Sequence, residues 1–231
     1  MLLRKNTPPV NPATPEHIVD AGPFGAWLAQ ALRVLRGEAE ADVPCGTCTG
    51  CCTSAYYVRI RPCDRAAVAG VSSEYFVRGS GMPADESLMG WRPDGTCPAL
   101  EQDRCTIYSR RPMTCRDYDC RIFVPTELEA GDERKAVINA RIRAWRFTFE
   151  DDGASRSFDA LRRASLFIRE KRGRFPQEGR GVPTAPTGIA VLAMKTYAVF
   201  LREDLASLDD EAIAADIIEA SRLFDRASSG S

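Results

Sequence analysis

The sequence is poor in histidine, in long hydrophobic runs and in excess charge of either sign. Its 231 residues include a single histidine, and 31 Lys and Arg stand against 32 Asp and Glu, for a net charge of −1. A near-neutral total disfavours a globally basic nucleic-acid binder and an acidic disordered tail. No apolar run reaches the roughly 18 residues that a membrane-spanning helix needs. Because His17 is the one histidine, an open His-bearing zinc site and His-based acid–base catalysis are poorly supported.

A secretory signal is also not expected, because prolines interrupt residues 1–9 before any hydrophobic stretch forms. We therefore expect a cytoplasmic protein. Cysteine, in contrast, is abundant, with nine residues in the chain. A reducing cytosol makes many structural disulfides improbable, and an odd total leaves one thiol unpaired. Metal binding is the preferred interpretation, and a disulfide-linked domain in an oxidising compartment is the alternative.

The amino-terminal half divides into two segments. Residues 1–43 predict a flexible, proline-rich lead-in followed by a helix that begins after Pro23. Residues 44–124 contain every cysteine and predict an irregular module with one or two short strands, the clearer one at 56–61. Residues 72–94 are rich in Gly, Ser, Pro and Asp and predict a long loop. So much irregular chain normally needs something to order it, and a metal core would do so.

The carboxy-terminal segment, residues 125–231, predicts about four helices from its hydrophobic spacing. Ile138, Ile142, Trp145 and Phe149 indicate the apolar stripe of one helix. Residues 189–201 are apolar nearly all round and too short to span a bilayer, so they predict a buried central helix. The expected fold is therefore mostly α, with an irregular cysteine-rich module that metal organises.

The cysteines form two groups of four, with one cysteine outside them. The C-x2-C spacing of the first group lets two thiolates reach one ion from a tight turn. It also matches the start of a bacterial ferredoxin motif, C-x2-C-x2-C, so an iron–sulfur cluster is an alternative to zinc. Adjacent side chains point to opposite faces of extended backbone, so Cys51 and Cys52 favour two metals or a bridge between them. The groups are Cys45, Cys48, Cys51 and Cys52, followed by Cys97, Cys105, Cys115 and Cys120.

Eight thiolates suit two tetrahedral sites or a smaller number of sulfur-bridged ions, and the spacing leaves open which cysteines share an ion. Two divalent ions would leave a net charge of about −4 in a small volume, and its burial requires cations and N–H donors. Arginines lie among the second group, and we expect at least one of them, Arg116 first, to lie beside the cluster. They are Arg104, Arg110, Arg111, Arg116 and Arg121.

The cysteines belong to a longer pattern of short motifs. It consists of C-x2-C-x2-C-C at 45–52, Cys97-Pro98, Cys105-Thr106-Ile107-Tyr108, Arg111-Pro112 and Cys115-Arg116-Asp117-Tyr118-Asp119-Cys120. The pattern resembles the YkgJ-type cysteine-cluster family, whose domain is described as zinc- or iron-chelating. The resemblance covers residues 45–124 and implies that the eight cysteines of the two groups are the metal ligands. Cys63 lies outside the pattern; a buried apolar filler is the preferred interpretation, and a replacement ligand or a free thiol are the alternatives.

The predicted function is that of a cytosolic metal-binding protein. It would hold zinc or iron through the eight-cysteine cluster, with a structural or storage role. One relative of the family is a flagellin lysine N-methylase, so the resemblance implies an alternative, an iron–sulfur-dependent protein-modifying enzyme. Metal ions are the expected partners, and a protein partner or substrate is left open. Membrane and nucleic acid are not expected, and no residue pattern indicates a catalytic group.

Overall fold

The computed structural model describes residues 18–41, 43–176 and 182–228. Within these ranges the chain is mostly helical with several short strands, as the sequence predicts. The expectations for His17 and for the lead-in up to that residue fall outside the described residues. Among the helices in these ranges, none is both long enough and apolar enough to cross a membrane.

The regular elements are helices, which form the scaffold, and short strands. The strands are β1 (Val19–Pro23), β2 (Val58–Ile60), β3 (Phe76–Val77), β4 (Ser87–Met89), β5 (Leu100–Glu101), β6 (Arg104–Cys105) and β7 (Trp145–Thr148). The helices are α1 (Phe24–Leu35), α2 (Met113–Asp117), α3 (Phe123–Thr126), α4 (Ala136–Ala144), α5 (Asp152–Glu170), α6 (Pro186–Thr196) and α7 (Asp210–Ser228).

Helix α1 begins directly after Pro23, as predicted. Its first N–H groups have no partner within the helix, and Glu150 supplies one: its carboxylate accepts from Gly25 N at 3.1 Å and from Ala26 N at 3.3 Å. The apolar face of the helix buries Phe24 and Trp27 against the helical core. The capping carboxylate thus fixes the direction in which α1 leaves β1.

The helical core lies among α1, α5, α6 and α7. Helix α6 is the buried central helix that the sequence predicts, with Ala193 and Met194 fully inaccessible. Its α-helical part ends at Thr196 and continues as the 3-10 turn Tyr197–Leu201, so the apolar run at 189–201 covers two kinds of helix. Burial of this apolar surface, at about 25 cal/mol per Å², stabilises the scaffold without any metal.

The parallel pair β1–β7 corrects two expectations. Residues 19–22 are not a flexible lead-in, because β1 pairs with β7 in the register Val19↔Trp145 to Pro23↔Thr148. The predicted helix through Trp145 ends at Ala144, and Trp145 opens β7 instead. Both errors have one cause: each strand takes its hydrogen bonds from a partner more than a hundred residues away, which local composition does not reveal.

The cysteine-rich module contains more strands than the one or two predicted. Strands β2, β4 and β3 form an antiparallel sheet in that order, and β5 pairs with β6 as a hairpin. Strands β3 and β4 lie inside residues 72–94, which the sequence predicts as loop. Each strand has only two or three residues, which is too short for a clear alternation of apolar and polar residues. A small apolar cluster that includes Ile60, Met89 and Ile107 lies within the module.

Candidate metal centre

All eight predicted ligands lie in described residues, and each is an unbonded thiol. They stand on short elements that converge within the module, with no long helix or strand among their carriers. Cys45 and Cys48 precede the 3-10 turn Gly50–Thr53, which carries Cys51 and Cys52; Cys97 precedes β5, Cys105 ends β6, Cys115 lies in α2, and Cys120 begins the 3-10 turn Cys120–Ile122.

The first cysteine loop is a tight turn that depends on two glycines. Cys48 N donates to Cys45 O at 3.0 Å, and Gly46 within this turn has φ +57°, a conformation that favours glycine. Gly50 N donates to Cys48 Sγ at 3.4 Å. A Cβ at Gly50 would lie 3.2 Å from Ile138 Cα of α4, so only glycine lets the cysteine loop approach that helix so closely. The loop that carries the C-x2-C-x2-C-C motif therefore packs directly against the backbone of α4.

Four thiols are called here the first set: Cys45, Cys48, Cys51 and Cys120. Members of this set affect the pKa of Cys51 and of Cys120. Burial raises the pKa of Cys51 well above its usual value, and the thiols of Cys120 and Cys45 raise it further. Burial likewise raises the pKa of Cys120 to about 12, with smaller contributions from Cys45 and Cys48. Cys120 comes from the second sequence group, so the first set joins residues that are far apart in the chain.

The remaining ligands, Cys52, Cys97, Cys105 and Cys115, form the second set. Burial raises the pKa of Cys52 to about 12, and the next largest effects come from Cys97, Cys105 and Cys115. The pKa of Cys115 is also raised to about 12, first by burial and then by Cys97 and Cys105. Cys97 N donates to Cys52 O at 2.7 Å, which ties the two sequence groups together through the backbone.

A cavity of about 230 Å³ separates the thiols, and seven of the eight predicted ligands line it. At roughly 30 Å³ per water molecule, this space exceeds what two ions need. Across the described residues, no group of three or more Cys, His, Asp or Glu side chains is already closed into a ligand arrangement. The thiols thus surround a common space without converging on one point. A donor set made of soft thiolates around such a space fits zinc or iron better than a hard cation.

Positive charge lies beside both sets. The charge of Arg141 opposes the rise in pKa of Cys45, and that of Arg111, which lines the cavity, opposes the rise of Cys45 and Cys115. Arg116, the first candidate from the sequence, instead pairs with Glu40. The Nε atoms of Arg111, Arg116 and Arg141 are buried and lack a hydrogen-bond partner within the described part of the chain. Fixed cations of this kind offset the negative charge that thiolates bring to a metal site.

Two tyrosines next to the cluster form a pair. The hydroxyls of Tyr56 and Tyr118 lie 3.0 Å apart, and both residues line the cavity. Burial raises the pKa of Tyr118 far above its usual value, so this hydroxyl stays protonated. The Lys135 ammonium lies 3.6 Å from the centroid of the Tyr56 ring and contacts the carbonyl of Ser54. These contacts make the pair part of the packing that encloses the first cysteine loop.

Cys63 corrects another expectation, because its side chain is exposed and not a buried filler. It lies in the 3-10 turn Pro62–Asp64, whose inward-facing residue is Asp64. The Asp64 carboxylate accepts from Arg61 N at 3.0 Å and from Met113 N at 2.9 Å, which anchors the start of α2. The polar residue takes the buried position because it has backbone donors to satisfy, and the cysteine is turned outward.

Two scaffold residues that contact the cysteine module, Trp145 and Arg141, are not indicated by the sequence. Trp145 Nε1 donates to Cys120 Sγ at 3.2 Å, and the Arg141 guanidinium carbon lies 4.4 Å from the Trp145 ring centroid. Sequence spacing places Trp145 only in an apolar stripe. No local signal marks it as a partner of a cysteine 25 residues earlier.

Fold and cluster together define a class of protein: a mostly helical chain that carries a cysteine-rich, metal-binding module. Residues 44–137 match a family model called CxxCxxCC, described as "Putative zinc- or iron-chelating domain". This segment is less than half of the chain, and the match agrees with the cysteine-cluster family that its motifs resemble. The match supports metal binding, with zinc or iron as the metal. No curated protein and no solved structure matches the chain.

Proposed function

We propose that the chain holds about two zinc or iron ions, one in each set of four cysteines, and that the ions organise the module at residues 44–124. The flanking segments, residues 1–43 and 125–231, serve as its scaffold. A structural role is the function that the geometry supports best. Free thiols at all nine cysteines suit a reducing compartment, so we infer a cytoplasmic protein.

The observation that carries this proposal is the division of the thiols into two sets. Cys51 is influenced most by Cys120 and Cys45 after burial, whereas its neighbour Cys52 is influenced most by Cys97 and Cys105. The strongest thiol neighbours of these two adjacent cysteines therefore differ, and the hydrogen bond from Cys97 N to Cys52 O supports grouping Cys52 with the second set. Weaker effects of Cys52 on Cys51 and of Cys48 on Cys52 cross between the sets. Each group has four sulfur donors, which is the number that a closed tetrahedral site requires.

The structural role follows from how little else orders the module. Its own apolar cluster consists of a few small and medium-sized side chains, with Ile60, Met89 and Ile107 the largest buried ones. The sheet strands are two or three residues long. In such a module, metal binding contributes folding free energy directly, and a chelator unfolds it.

The test is metal analysis joined to an optical spectrum on one anaerobically purified sample. The wild-type chain should carry about two ions, and Cys51→Ala and Cys52→Ala should each reduce this to about one. Cys63→Ala is the matched control, because the exposed thiol lies outside both sets, and it should keep the wild-type content. Loss of all metal in either single variant would refute two separate sites and indicate a shared cluster. A metal-free wild-type chain that keeps its module folded would refute the proposal altogether.

An iron–sulfur-dependent protein-modifying enzyme is the second candidate, resembling the flagellin methylase. The observation that favours it is the single cavity shared by seven of the thiols, since a sulfur-bridged cluster fills such a space better than separate ions do. The same anaerobic sample decides between the candidates. A brown protein with equal amounts of iron and inorganic sulfide supports the cluster, and a colourless zinc protein excludes it.

A disulfide-linked domain is distinguished by thiol counting. Titration of the denatured chain, without reductant and after metal removal, should find all nine thiols free. A count near one would refute metal binding through the eight cysteines.

A further inference from the structure

The first cysteine set has contacts outside the family domain. The matched segment ends at residue 137, whereas Arg141 lies in α4 and Trp145 opens β7. Trp145 is completely buried, and its indole N–H donates to Cys120 Sγ at 3.2 Å. Its ring is covered by the Arg141 guanidinium, whose central carbon lies 4.4 Å from the ring centroid. The two side chains therefore form one stacked unit beside the cluster.

Arg141 also reaches the other end of the first set. Its Nη2 donates to the carbonyl oxygens of Cys45 at 3.0 Å and Pro44 at 3.2 Å. Its Nε is buried and has no hydrogen-bond partner among the described residues, and the residue as a whole is half-buried, so the guanidinium brings a partly shielded positive charge to this place. The stacked unit thus touches the chain at Cys45 and at Cys120, two members of the same set that lie far apart in sequence.

We propose that Arg141 and Trp145 are positioning residues for the metal site formed by Cys45, Cys48, Cys51 and Cys120. This inference rests on the proposed two-site function. An N–H donor to a ligand sulfur and a fixed cation both stabilise a thiolate that carries negative charge, and such outer contacts orient the ligands of a metal. The helical scaffold, and not only the cysteine module, therefore completes this site.

Arg111 acts on Cys45 as well as on the second set, but neither Arg141 nor Trp145 is among the groups that act on Cys52, Cys97 or Cys115, so the effect of removing them should be confined to one site. The charges that act on Cys97 and Cys115 come from Arg92 and Arg111, both within the family domain. Arg92 is held there by the carbonyl oxygens of Leu100 at 2.7 Å and Pro98 at 2.8 Å. Removing the stacked unit should weaken one ion and leave the other unchanged.

The experiment is a competition titration of the full chain with a chromophoric zinc chelator. Trp145→Phe keeps an aromatic ring, although a smaller one, and removes the N–H donor, and Arg141→Met keeps much of the apolar volume and removes the charge. Each should weaken one of the two ions by about 10- to 100-fold. Arg141→Lys restores the charge without the planar stack, and it should recover part of the affinity. Arg143→Met is the matched control, because this exposed residue of the same helix pairs with Glu129 on the surface.

The outcomes separate this inference from the function on which it rests. Equal weakening of both ions, unchanged affinity in Trp145→Phe and Arg141→Met, or the same loss in Arg143→Met would overturn the positioning role while leaving two-site metal binding intact. A wild-type chain that binds no zinc would overturn both. Circular dichroism of each variant checks the fold, and if Trp145→Phe is unfolded, the comparison of Arg141→Met with Arg143→Met decides.

Discussion

Replacement of Asp119 by alanine tests the link between the cysteine module and the scaffold. Asp119 directly precedes Cys120 and forms an ion pair with Arg121, Oδ2 to Nη2 2.8 Å, with only 12% and 9% of the two side chains exposed. Its Oδ2 also accepts from Trp27 Nε1 of α1 at 2.8 Å. Arg121 in turn donates to Ala21 O of β1 at 3.1 Å. One carboxylate therefore connects Cys120 to both β1 and α1.

Loss of this carboxylate should cost about 3–5 kcal/mol of unfolding free energy, because it breaks a buried ion pair by removing one partner. Trp27→Phe removes a hydrogen bond to a charged acceptor, worth about 1.5–3 kcal/mol, and also shrinks a buried ring. The surface pair of Arg143 and Glu129 is the control: both side chains are about half exposed, and Asn139 Nδ2, which also donates to Glu129 at 3.3 Å, keeps its bond to Gly131 O at 3.0 Å, so Glu129→Ala should cost at most about 1 kcal/mol.

Urea unfolding of the metal-loaded protein, followed by circular dichroism, measures these differences. The Trp27→Phe and Asp119→Ala double variant should be less destabilised than the sum of the single variants, because both remove the same hydrogen bond. A cost for Asp119→Ala that is no larger than that of Glu129→Ala would show that the buried pair does not join the module to the scaffold. Strict additivity in the double variant would refute the direct contact with Trp27.

The other expectations concern pH, backbone crowding and thiol protection. The pKa of Cys52, Cys115 and Cys120 is raised to about 12, so these thiols are protonated in the metal-free chain at neutral pH and lose protons when metal binds. Zinc affinity should therefore rise with pH between about 6 and 8 by up to tenfold per unit for each proton released, and a flat profile in chelator competition would contradict this. Gly50→Ala should destabilise the loaded protein by about 1–3 kcal/mol in urea unfolding, because its Cβ would crowd Ile138 Cα. Gly70→Ala, whose Cβ meets no atom within 4 Å, should be near neutral. In the loaded protein a maleimide should react rapidly with Cys63 alone, because metal would occupy the other exposed cysteine, Cys51, and mass spectrometry with the Cys63→Ser variant can check this. Rapid labelling of Cys52 would contradict its role as a ligand.

The parts of this protein that could be predicted from sequence are those with a local signal. Helix α1 after Pro23 and the apolar helix α6 follow from spacing and composition within a few turns. The assignment of Cys51 and Cys52 to different sets, which the geometry of adjacent residues predicts, stays a prediction. Metal binding follows from the C-x2-C spacing of the first cysteine group, and the family match supports it.

The parts that could not be predicted depend on contacts between distant residues. Strand β1 exists because β7 supplies its partner, and composition alone makes the same residues resemble a flexible lead-in. In the sequence Trp145 looks like one more residue of an apolar helical stripe, whereas in the fold it opens β7 and contacts Cys120. Cys63 faces outward because the neighbouring Asp64 satisfies two backbone donors inside. In each case a tertiary contact decides a conformation that the local sequence does not determine.

The pairing of β1 with β7 has a consequence for how the chain can exchange its metal. The polypeptide leaves this pair at Pro23 and returns to it at Trp145, the partner of Val19, so the intervening chain is an excursion that begins and ends at one strand pair. Such a closed excursion can open locally while its two ends stay together, and reclosing then costs little chain entropy. An ion could thus be loaded and released repeatedly while the β1–β7 pair stays intact.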